Sequence, residues 1–88
     1  MTKKNIYYYE RRIFECKDTI RAYSDILKCI DELQKSRGAT VPYIEALESI
    51  RNIVLNQMKN TITAMRNYEE KLKELTSEIE NARGHKRS

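Results

Sequence analysis

The sequence predicts an all-α fold: a long antiparallel two-helix hairpin, coiled-coil-like, expected to dimerise into a four-helix bundle. Three observations predict it. Apolar residues recur at alternating spacings of three and four through two long blocks. Glycine and proline number only two and one in 88 residues, which leaves little turn material for a β-rich chain. One short break, "GATVP" at residues 38–42, separates the two blocks.

The first block reads Ile6, Tyr9, Ile13, Cys16, Ile20, Tyr23, Leu27, Ile30. This is a heptad seam, and it predicts a helix from about residue 4 to residue 37, after a basic tail at residues 1–4. Gly38 follows Arg37 and is the expected stop, because a glycine adopts the left-handed conformation that closes a helix. In the break, Thr40 is a natural N-cap, and Pro42 falls in a first turn, where its missing N–H is harmless.

The second block reads Ile44, Leu47, Ile50, Val54, Met58, Ile62, Met65, Tyr68, Leu72, Leu75, Ile79, Ala82. It predicts a helix over about 43–82, ending before Gly84 and followed by a basic tail at 83–88. Only a few residues join the helices, so they fold back on each other. With the chain reversing near Ala39 and Thr40, equal rise sets Tyr9 against Tyr68, Ile20 against Met58 and Ile6 against Leu72. In that register Leu75, Ile79 and Ala82 overhang the first helix. The apolar stripe also widens at Ile50, Ile53, Val54, Leu55 and Met58. Surplus apolar surface calls for more helices, and a second copy is the nearest source. Ile53, Leu55, Leu75 and Ile79 are therefore the expected dimer interface.

The run "YYYERR" at residues 7–12 places three aromatics on different sides of one helix, since neighbours point about 100° apart. Tyr9 belongs to the seam. Tyr7 and Phe14, seven residues apart, form a second apolar patch on an adjacent face. Tyr8 points away from the seam, and Arg11 and Arg12 follow Tyr7 and Tyr8 at four-residue spacing, where cation–π contact is available. Exposed Tyr and Arg together are the composition of binding hot spots. Tyr7, Tyr8, Arg11, Arg12 and Phe14 are the expected partner-binding residues, with Arg83, Lys86 and Arg87 assisting from the same pole.

Charge supports that placement. The net charge is +4; five of the 17 basic residues (Lys3, Lys4, Arg83, Lys86 and Arg87) lie in the tails, leaving 12 against 13 acidic residues in the body. The surplus is thus confined to the pole where the ends meet. It would speed encounter with an acidic partner. Non-specific nucleic-acid binding is the alternative reading of that pole, although no helix-turn-helix, zinc-finger or RNP spacing is present.

Chemistry is not indicated. The one histidine, His85, sits in the C-terminal tail, and there is no Gly-rich phosphate loop, no Glu-x-x-His pair and no Ser–His–Asp or Cys–His set. No enzyme activity, metal or cofactor is expected. Cys16 and Cys29, 13 residues and about 20 Å apart on one helix, cannot pair with each other and are expected as inward-facing reduced thiols. No apolar run spans a membrane and no apolar segment follows the basic N-terminus as in a signal peptide, so a cytoplasmic setting is expected.

Two long helices joined by a tight turn, with "FECKD" (Phe14–Asp18) reading as F-x-x-x-D, resemble the WXG100-like proteins of bacterial type VII secretion and the small helical partners of LXG toxins. The turn "RGAT" carries no Trp. The seam also resembles the dimerisation hairpins of MerR-type regulators. The first resemblance implies a partner of a type VII secretion substrate. The reading of the residues themselves is broader: a non-enzymatic helical hairpin acting as a small adaptor, regulator or inhibitor of bacterial or phage type, through dimerisation and binding of another protein.

Overall fold

The computed structural model describes the backbone of residues 2–87 and the side chains of residues 5–81. It is an all-α hairpin of two long helices, α1 (Thr2–Gln34) and α2 (Val41–Arg87), packed along their length. Both helices run further outward than the sequence suggests, into the segments read as tails. The side chains of Lys3, Lys4, Ala82, Arg83, His85, Lys86 and Arg87 lie outside the described residues.

α1 stops at Gln34, not at Arg37, because the next residues bond differently. The Lys35 N–H is shared between the Asp31 and Glu32 carbonyls at 3.3 and 3.2 Å, and the Ser36 N–H reaches the Leu33 carbonyl at 3.2 Å. These short-range bonds tighten the last turn, and the Ser36 hydroxyl adds a 2.7 Å bond to the same Leu33 carbonyl. Gly38 then reverses the chain at φ 83°. The cap on α2 is as expected: the Thr40 Oγ1 accepts from the Tyr43 N–H at 3.4 Å, and the Thr40 carbonyl accepts from Ile44 at 3.0 Å.

The seam of α1 is as the spacing predicts. Ile13 and Ile30 are buried, and Ile6, Tyr9, Cys16, Ile20, Tyr23 and Leu27 are half-buried. On α2 the half-buried residues include Ile44, Leu47, Val54, Met58, Met65, Tyr68, Leu72, Leu75 and Ile79. One correction follows. Ile50 is 48% exposed, and its expected place on the seam is taken by Arg51. Leu75 and Ile79 are half-buried on α2 and continue its three–four spacing; with Tyr9 set against Tyr68, equal rise puts Leu75 beside the first residues of α1 and Ile79 past Thr2.

Polar groups inside the seam are matched. Arg51 forms an ion pair with Asp31 across the helices. Gln34 Nε2 donates to the Ile44 carbonyl at 3.4 Å and to Glu48 Oε2 at 3.0 Å. Half-buried Thr61 turns its hydroxyl back to the Gln57 carbonyl at 3.0 Å.

The result is a rod. Its radius of gyration is 20.3 Å and its principal extents are 72 × 19 × 14 Å. A compact chain of this length would have a radius of gyration of about 12 Å. Among the described residues, no helix is long and apolar enough to cross a membrane.

Candidate functional site

The aromatic end is built on the seam. Tyr9 packs on Tyr68 with ring centroids 6.0 Å apart, the pairing that the register predicts. Tyr8 meets the edge of Tyr9 at 5.3 Å, in a T-shaped arrangement. The Arg12 guanidinium lies 5.5 Å from the Tyr68 ring centroid, and its Nε and Nη2 donate to the Tyr68 hydroxyl at 3.4 and 3.3 Å. The hydrogen bond to that hydroxyl, with the electrostatic pull of Tyr68 and Tyr8, raises the Arg12 pKa above its already high ordinary value. Arg12 therefore clasps the opposite helix, and its cation–π partner is Tyr68 in place of the expected Tyr8. Arg11 turns outward to Glu15 at 3.6 Å.

The five expected partner-binding residues do not form one patch. Arg12 lines a groove with Glu15, Cys16, Asn60, Ala64 and Tyr68 on one flank of the hairpin. Phe14 lines another, with Glu10, Ile13, Lys17 and Leu72, on the opposite flank. Tyr7 and Phe14 are each 65% exposed and share that second flank by their seven-residue spacing. Tyr8 and Arg12 belong to the first flank and to the clasp around Tyr68.

The periodicity extends each flank along the rod. On α1 the first flank continues from Arg12 and Glu15 through Thr19, Ala22, Ile26, Cys29 and Leu33. On α2 it runs back from Ala64 and Asn60 through Gln57, Ile53, Ile50, Ala46 and Tyr43. From Thr19 to Leu33 and from Tyr43 to Ala64 these positions hold no Asp, Glu, Lys, Arg or His. Ile26, Leu33, Tyr43, Ile50 and Ile53 are all exposed on it, Ile53 at 63%. The opposite flank is lined by Lys17, Glu69, Lys73, Thr76 and Glu80, and Leu55 falls on it two heptads before Glu69. Its apolar residues stand among charges.

In the sequence Ile53 and Leu55 read as one broad stripe; in the structure they lie on different flanks. The uncharged flank is not evident from the seam alone. The signal was available as a second three–four pattern, one step round each helix from the seam. Cys29 lies on this flank and is exposed, against the inward position expected for it, whereas Cys16 is half-buried at the seam; both are free thiols.

Compared with known proteins, the chain matches no protein-family model, no curated protein and no solved structure.

Proposed function

We propose that this chain is a non-enzymatic protein–protein interaction module: a helical hairpin that associates with a second copy of itself and binds another protein at its open end. One observation carries the reading. The chain exposes 7381 Å², whereas a folded monomer of 10.5 kDa exposes about 5400 Å². Among the described residues only Ile13 and Ile30 are buried. A seam this thin leaves apolar surface that association would cover. The two free thiols favour a reducing compartment, the cytoplasm.

Within the open end, Tyr7 and Phe14 are the anchors for another protein. They are large and exposed, each at 65%. Tyr8 and Arg12 support the hairpin itself. The test is the double change Tyr7→Ala with Phe14→Ala, followed by capture of partners from the native host. Captured protein should fall about tenfold or more, the scale of losing one hot-spot anchor, while helicity and sedimentation mass stay unchanged. Unchanged capture would reject these anchors. Capture of nucleic acid instead, with a steep loss of affinity in salt, would favour the basic-pole alternative.

A further inference from the structure

We propose that the second copy docks on the uncharged flank, the face carrying Ile26, Cys29 and Leu33 of α1 beside Tyr43, Ile50 and Ile53 of α2. The assignment rests on the dimer reading above and adds the face.

Three features point to another copy as the occupant. The first is pattern. The flank repeats the three–four spacing of the seam on both helices at once, over about 20 Å of α1 and about 30 Å of α2. That is the geometry of a second packing layer, which a hairpin turns into a four-helix bundle by meeting another hairpin. The second is charge. A two-fold dimer presents the same face to itself, so a charge near the two-fold axis meets its own copy, and a charge away from the axis needs an opposite charge on the same face. This stretch has none, while the opposite flank carries both signs. The third is area. An obligate dimer interface takes about 2,000 Å² or more in total, so roughly 1,000 Å² per copy. Each chain exposes 7381 Å², and its surplus over a compact monomer, on the order of 2,000 Å² by size scaling, accommodates that loss.

The two-fold arrangement brings the mid-stripe residues Ile26 and Ile53 to the centre of the contact and leaves Thr19, Gln57 and Asn60 at its rim. An apolar centre with an uncharged polar edge is the usual anatomy of a stable interface. Leu55, Tyr7 and Phe14 stay on the outside of the bundle, free for another protein.

The test compares Ile53→Lys with Leu55→Lys by sedimentation equilibrium, with circular dichroism to check helicity. Both side chains are exposed in the single hairpin, at 63% and 44%, so neither change disturbs the seam. Wild type and Leu55→Lys should sediment near twice 10.5 kDa. Ile53→Lys should weaken the dimer about 100-fold, because two like charges are brought together at a desolvated centre. Mass-mapped thiol labelling gives a readout that needs no variant. Cys29 is exposed in the hairpin, so its labelling in the wild type should slow as concentration rises through the dimerisation range.

If Leu55→Lys dissociates the dimer and Ile53→Lys does not, the dimer stands and the flank assigned here is wrong. If both dissociate it, the contact wraps both flanks and the assignment is also wrong. Labelling of Cys29 that ignores concentration in a protein that dimerises overturns the face as well. A wild-type chain that sediments as a cooperatively folded 10.5 kDa monomer overturns the dimer itself.

Discussion

Near the turn, the helices are joined across the seam by Asp31 with Arg51 and by Gln34 with Ile44 and Glu48. Near the open end, they are joined by Tyr9 on Tyr68, with Arg12 laid over the same ring. The two ends thus use different means to hold one register. Polar groups in a seam lose hydration and add little net stability, but a slipped register would leave them unpaired, so they specify alignment. Aromatic rings contribute area and tolerate small shifts. The turn end is specified by polarity and carries much of its spare apolar surface on the uncharged flank. The open end is stabilised by area and carries its spare aromatics among charges.

Substitutions separate the two ends, with stability measured by urea unfolding at one fixed protomer concentration, since association shifts apparent stability. The largest effect belongs to the turn half. Ile30 is 4% exposed, and Ile30→Ala should cost about 3 kcal/mol, as for other buried aliphatic truncations. A loss below about 1 kcal/mol, the scale of ordinary substitutions, would mean that the polar pairs carry that end. Tyr9→Ala comes next. Its ring is half-buried, so about 2 kcal/mol is expected, less than for a fully buried aromatic. A cost equal to that of Ile30→Ala would erase the distinction between the ends. Tyr8→Ala is the smallest, at about 0.5 kcal/mol, because Tyr8 only edges Tyr9 from the exposed side. A Tyr8 effect as large as that of Tyr9 would place the open-end core on the wrong side of α1.

The fold was legible because both seams keep strict three–four spacing, and the pairing of Tyr9 with Tyr68 followed from equal helical rise. The misplaced residues have separate causes. Ile50 beside Arg51 looks like the core residue by hydropathy, but Arg51 keeps the phase and its aliphatic stem can line the seam while the guanidinium finds Asp31. Leu75 and Ile79 continue the spacing of α2, and with Tyr9 opposite Tyr68 equal rise carries Ile79 past Thr2, where α1 begins. The clasp of Arg12 on Tyr68 was not readable, since a long side chain chooses among partners in three dimensions. Tyr7, Tyr8, Arg11, Arg12 and Phe14 looked like one cluster in the chain. The helix distributes them round its circumference, and only Tyr7 and Phe14 remain together and free.

Gly38 shows how little crowding governs the reversal. A Cβ built there would meet no atom within 4 Å, yet the residue sits at φ +83°. The constraint is one of handedness alone. An L-residue would strain against its own neighbouring carbonyl, while its mirror image would occupy the same torsion at ease. A D-alanine at this position therefore fits the native turn and narrows the range of conformations open to the unfolded chain. The turn's own hydrogen bonds and the Thr40 cap hold the bend, and the handedness of this one torsion decides which residues can pass through it.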